Sequence, residues 1–124
     1  MRDEPLHGVV VRWDDIPEDR PRPGIARRGY ATDQVQMVMN VCDRDIELRP
    51  HSHQDHDQLV YIAKGRALYF VDGVPREMGP GSMMLVRAGA EHYIQPLEDG
   101  VENIDIFVPP REDIMHVCPL PEQQ

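Results

Sequence analysis

No stretch of this chain runs far before it meets a turn residue, and that limits what it can fold into. Twelve prolines and nine glycines are spread over 124 residues. No interval between them holds the sustained 3.6-residue apolar period of an amphipathic helix, so helices of any length are not expected. What fits between the breaks is short alternating runs of strand length. Such runs fall at Val9–Trp13, Gln34–Cys42, Gln58–Lys64, Ala67–Val71, Arg76–Met78, Met83–Arg87, Tyr93–Pro96 and Asn103–Val108. Asp72-Gly73 joins two of them and is a hairpin signal, because a tight two-residue turn needs residues that tolerate positive φ. Gly79-Pro80-Gly81, Ala88-Gly89 and Glu98-Asp99-Gly100 mark further turns. About eight short strands at this spacing predict an all-β chain, a sandwich or barrel of jelly-roll type.

The rest of the chain divides around that barrel. Residues 14–29 are rich in proline and charge and read as an irregular arm. The expected organisation is an N-terminal strand and arm over 1–30, one barrel over 31–110, and a polar tail over 111–124 that packs loosely. The length suits one domain with one core. Thirteen basic and twenty-two acidic side chains leave a net charge of −9, which disfavours nucleic acid and anionic membrane as partners. An acidic small molecule would then need a local arginine to hold it. The N-terminus lacks the apolar stretch of a secretory signal, and no run of apolar residues is long enough to span a bilayer, so a cytoplasmic location is expected. Cys42 and Cys118 have no C-x-x-C partner and read as reduced thiols. Met37, Met39, Met78, Met83, Met84 and Met115 read as adaptable packing residues rather than thioether ligands.

The richest chemistry lies in RPHSHQDHDQ, residues 49–58. His51 and His53 are two apart, so on an extended segment both rings share a face. Two neutral imidazoles on one face can share a transition metal ion. His92 offers a third ligand, and Gln58 or His56 a fourth. His56 sits in a charged loop and suits a supporting or solvated role better than ligation, while His7 and His116 read as surface residues.

At this point the sequence resembles the cupins. Their first motif reads G-x5-H-x-H-x3,4-E-x6-G and their second G-x5-P-x-G-x2-H-x3-N. The chain gives His51-x-His53-x4-Gln58-x6-Gly65, then Gly81-x5-Arg87-x-Gly89-x2-His92. Asp45 stands where the first glycine would be, Arg87 for the proline and Pro96 for the asparagine. Gln58 in place of glutamate is the larger change, because it leaves a donor set with no charge. An ion held by neutral ligands keeps its full positive charge, which favours Lewis-acid work.

Beyond the motifs, Asp105 and Phe107 share one face of the last strand, and Arg111 follows a Pro-Pro bend. A carboxylate facing a barrel interior is costly unless paired or functional. Asp105 would suit a general acid/base, and Arg111 a bidentate clamp on a carboxylate. The set His51, His53, Gln58 and His92 with D-x-F-x-P-P-R-E-D over residues 105–113 is similar to the KdgF-like pectin-degradation cupins. That resemblance implies one divalent ion (zinc, nickel, iron, manganese or copper), a pocket lined by Asp105, Phe107 and Arg111, and conversion of an unsaturated uronate to an open-chain keto acid. It also implies a homodimer, with Val9–Trp13 as a candidate for strand exchange. A metal-dependent dioxygenase of a small molecule and a non-catalytic, small-acid-binding regulator remain the alternatives.

Overall fold

The computed structural model describes residues 1–121. The short runs become nine strands: β1 (Asp19–Arg22), β2 (Ile25–Ala31), β3 (Gln36–Cys42), β4 (Asp57–Lys64), β5 (Ala67–Val71), β6 (Val74–Met78), β7 (Met83–Val86), β8 (His92–Pro96) and β9 (Val101–Val108). They form two antiparallel sheets, one ordered β1-β2-β3-β9-β4-β7 and one β6-β5-β8. This is the expected all-β jelly-roll arrangement. The longest α-helical piece is one turn, α1 (Asp3–Leu6). Asp72 (φ 49°) and Gly73 (φ 79°) make the anticipated tight turn between β5 and β6.

The N-terminal third corrects the sequence reading. Residues 9–12 are not a strand, and Trp13–Asp15 is a single 3-10 turn. The Asp15 carboxylate accepts from the Arg12 backbone N–H at 3.0 Å, and the Asp15 N–H donates back to the Arg12 carbonyl at 2.9 Å. These local bonds take the groups a strand would have used. Most of the expected irregular arm is instead the β1–β2 hairpin. Its prolines, Pro21 and Pro23, lie in the edge strand and the turn, where no central ladder bond is lost.

The tail also departs from expectation. Glu112–Val117 forms a 3-10 segment, and Ile114, Val117 and Cys118 are buried with Ala31, Val38 and Phe107. Gly29 makes room for it, since a Cβ there would meet the Cys118 sulfur. The sequence hid this docking because its two apolar anchors sit inside an otherwise polar, proline-flanked stretch.

The interior is divided. Val60, Ile62, Ala67, Tyr69, Met78, Val86 and Val101 form a dry cluster between β4, β5, the end of β6, β7 and the start of β9. Ile62 is fully buried, and such a side chain contributes about 1.5–3 kcal/mol relative to exposure. Between this cluster and the one under the tail, the inward faces of β2, β3 and β9 carry polar residues. Arg27, Asn40 and Asn103 face one another in a row across three strands. They lead to the cavity that holds the candidate site.

Candidate metal centre

The histidines come from two places that backbone bonds lock together. His51 and His92 exchange N–H···O bonds at 3.1 and 2.8 Å, and the Gly89 N–H donates to the His53 carbonyl at 2.7 Å. Gly89 occupies the third position of a turn closed by Ala90 N–H to the Arg87 carbonyl, with φ +89°. Only glycine takes that conformation without strain, which accounts for the motif's glycine at this site. The separation of the two ligand segments is therefore set by the main chain.

Each ring is oriented by its own loop. Nδ1 of His51 lies 2.7 Å from the Arg49 carbonyl, and Nδ1 of His92 lies 2.9 Å from the Ala90 carbonyl. A carbonyl only accepts, so both Nδ1 atoms carry the proton and both Nε2 lone pairs are free. One ligand atom from each of His51, His53 and His92 lies within 4.8 Å of the others. Burial, with Arg111, His51 and His92 nearby, pushes His53 down to about 3, and burial also lowers His92. Both rings are thus kept in the neutral form that binds metal.

Among the buried atoms that lack a hydrogen-bond partner within the described residues are three at the histidine end of this cavity: Nε2 of His53, Nε2 of His92 and Oε1 of Gln58. Native interiors seldom leave such atoms unsatisfied. All three are lone-pair donors, which is what a cation needs. Gln58 is held firmly, because its Nε2 donates to Asp105 Oδ1 at 2.8 Å and to the Tyr69 hydroxyl at 3.3 Å. An ionised carboxylate accepts only, so the amide nitrogen must face Asp105 and the oxygen must face away. The residues present fit a transition metal ion.

Asp105 is the hub of a polar network. It accepts from Gln58, from Asn103 Nδ2 at 3.0 Å and from Asn40 Nδ2 at 3.1 Å. Burial raises it to about 6, against the opposing pull of these amides and of Arg111. Phe107 lies edge-on to His53 at 5.6 Å between ring centroids, and the Arg111 guanidinium sits 5.1 Å over the Phe107 ring. Asp105, Phe107 and Arg111 thus all border the histidine cavity, whose volume is about 490 Å³. Arg111 does not reach in as a free clamp, since Asp113 already pairs with it at 2.7 and 3.3 Å. The half-buried His56 bonds the Pro109 carbonyl through Nδ1 and lies outside the three-histidine cluster. A larger hollow, about 620 Å³, lies between residues 11–14 and Met37, Met39 and Tyr30. It contains none of the unsatisfied atoms, so it is not the chemical site.

Sequence reasoning missed Arg22 and Arg27, which also line the cavity. Both lie in the stretch read as an irregular arm, and only the hairpin turns them inward.

A jelly roll of this kind with three convergent imidazoles at one end is a metal-site cupin in architecture. The Cupin_2 model, "Cupin domain", matches residues 38–101, and the chain belongs to that family. It is 29% identical over 103 residues to the pectin degradation protein KdgF of Dickeya dadantii (strain 3937), covering 82% of this chain and 94% of that protein. The structure of KdgF from Halomonas sp. superposes with a TM-score of 0.81 at 29% identity, over 86% of this chain and 98% of the other. An RmlC-like cupin from Shewanella frigidimarina NCIMB 400 gives 0.76 at 25% identity, over 83% and 92%. Oxalate decarboxylase from Bacillus subtilis, at 21% identity and a TM-score of 0.68, shares the fold. Among the described residues no helix is long and apolar enough to cross a membrane.

Proposed function

We propose that this chain holds one divalent transition metal ion through His51, His53, Gln58 and His92. We further propose that it opens the ring of a small carboxylate-bearing sugar, such as an unsaturated uronate, to a keto acid. What supports the reading is the three-histidine cluster together with the buried, unpartnered Oε1 of Gln58, whose amide nitrogen is fixed on Asp105. The likeness to KdgF, a pectin degradation protein, supports the substrate class. Bound there, the ion would supply Lewis-acid polarisation of a substrate oxygen.

The chain's own residues would do the rest. Ring opening of a cyclic unsaturated uronate is an isomerisation. The anomeric hydroxyl loses a proton and becomes the aldehyde as the bond from that carbon to the ring oxygen breaks, and the resulting enolate becomes a ketone by taking that proton on carbon. Asp105 has the position to carry that proton, and its carboxyl, raised to about 6, can both take and return it near neutral pH. Phe107 shapes the cavity wall, and Arg111, stacked on it, contacts the substrate from that side. The amides of Asn40 and Asn103 hold the carboxylate in place.

The test is to supply metal-loaded protein with the unsaturated monouronate released from polygalacturonate by a lyase. Loss of the ring double bond without oxygen uptake is expected. Persistence of the double bond would refute the reading, and oxygen uptake would indicate a dioxygenase.

We also propose a homodimer formed through the outer face of the six-stranded sheet. Leu59, Met83 and Leu85 are 46%, 71% and 53% exposed. Leu59 pairs with Leu85, and Met83 with Tyr61, across β4 and β7, and the same face continues onto Ile106 and Ile104 of β9. Leu85→Asp should shift the sedimenting species from dimer to monomer. A monomeric parent protein would contradict the proposal.

A further inference from the structure

Four guanidinium side chains, Arg22, Arg27, Arg49 and Arg111, line one cavity in a chain whose net charge is −9. Three of them already have a carboxylate. Arg27 Nε lies 2.6 Å from Asp19, Arg49 Nη2 lies 3.1 Å from Glu47, and Arg111 is held by Asp113. Arg22 differs. Its Nε is buried with no partner among the described residues.

Burial weakens the charged form of Arg22, and Arg49 acts on it with the same sign of charge while Glu47 opposes. A buried donor left unpaired is costly, and more so when it is charged. Water could satisfy the N–H but would leave the Arg22 guanidinium without a counter-ion of its own. An anion would supply both the acceptor and the charge. A second unsatisfied atom limits what kind of anion. Asn103 Oδ1 is also buried without a partner, and Asn103 continues the row that runs from Arg27 through Asn40. Arg22 and Asn103 both line the same cavity, of about 490 Å³.

We propose that Arg22 is the carboxylate-binding residue of this cavity, reinforced by Arg27 and Arg49, and that the ligand is a small hydroxy acid whose hydroxyl donates to Asn103 Oδ1. The proposal rests on reading the cavity as a small-acid site. It moves the carboxylate from Arg111, whose charge Asp113 already meets, to the β1–β2 hairpin.

The test uses metal-loaded protein and three probes: D-galacturonate, malonate and the neutral D-galactose. Nitrogen-15 spectra of the arginine Nε–Hε groups should show the Arg22 signal shifting with the two acids and not with galactose. Arg22→Met keeps the aliphatic stem and should weaken galacturonate binding about tenfold or more by calorimetry, the loss expected for a charged hydrogen bond. Arg111→Met should weaken it less. The proposal is overturned if neither acid shifts the Arg22 signal, or if Arg22→Met binds galacturonate as the parent does. Should Arg22→Met not fold, the spectra of the parent decide alone. An Arg22 shift without turnover of unsaturated uronate would remove the ring-opening reading and leave this one standing; turnover without the shift would do the reverse.

Discussion

The two halves of the interior solve opposite problems with the same strands. Around Val60, Ile62, Tyr69 and Val86 the chain closes a dry cluster. Around Arg22, Gln58, His53, His92 and Asn103 it leaves polar atoms buried and unpartnered. Alternation along β4 serves both, because Gln58, Val60 and Ile62 all point inward. One step of two residues carries that strand from candidate ligand to core. The contrast teaches that stability is concentrated in the apolar half, so the polar half can hold groups that make sense only with a cation and a ligand in place.

The sharpest way to break this division is to remove a ligand that the core does not need. His53 is only half-buried, so His53→Ala should abolish metal binding while leaving the thermal stability of the metal-free protein nearly unchanged. Metal content after dialysis and a melting curve of the stripped protein measure both. A large loss of metal-free stability would show that the halves are not separable.

The reciprocal change is Ile62→Ala. Truncating this fully buried side chain should cost about 2–5 kcal/mol in urea unfolding, with metal stoichiometry per folded molecule unchanged. Weakened metal binding in the folded fraction would count against the division.

Asp105→Asn tests how the polar half is organised. Three amide NH2 groups donate to Asp105, and asparagine would turn one of its two acceptors into a donor. Gln58 would then turn its oxygen toward residue 105 and no longer offer it to an ion. Metal affinity should fall roughly 10–100-fold, as when other ligand-supporting bonds are lost. Intact affinity with abolished turnover would instead assign Asp105 wholly to the substrate.

The smallest effect belongs to Asp113, which is largely exposed and paired with Arg111. Asp113→Asn should cost less than about 1 kcal/mol. The Arg111 hydrogen bond holds the Asp113 carboxyl below its usual value, so its contribution is present above the ordinary carboxylate pKa and is lost as pH falls through the lowered one. The difference between parent and variant should therefore be seen at neutral pH and vanish in strong acid. A difference that grows in acid would contradict the pairing.

Much of this was legible in the chain and some was not, for physical reasons. Strands β4 to β9 follow alternating runs between glycine and proline turns, and the motif spacing singles out the three histidines, His51, His53 and His92, that the fold brings together. That Asp105 and Phe107 share a face also follows from a period of two; that the face is the inner one is decided by the pairing of β9 between β3 and β4. The β1–β2 hairpin was obscured because its edge strand, Asp-Arg-Pro-Arg, has neither alternation nor apolar residues and depends on tertiary pairing. With it went Arg22 and Arg27. Val9–Trp13 erred the other way. Its β-branched residues suggest a strand, but Val9 and Val10 are exposed and no neighbouring edge pairs with them. Whether Arg111 was free could not be read either, because Asp113 lies only two residues away and its pairing depends on the 3-10 turn of the tail.

X-ray absorption at the metal edge of the reconstituted protein examines the donor set itself. The expected result is three imidazole nitrogens and one oxygen at about 2.0–2.1 Å, the usual range for zinc, with one imidazole fewer in His53→Ala. A first shell without imidazole, or one unchanged by that substitution, would show that the ion is held elsewhere and that the unsatisfied atoms of the cavity have another purpose.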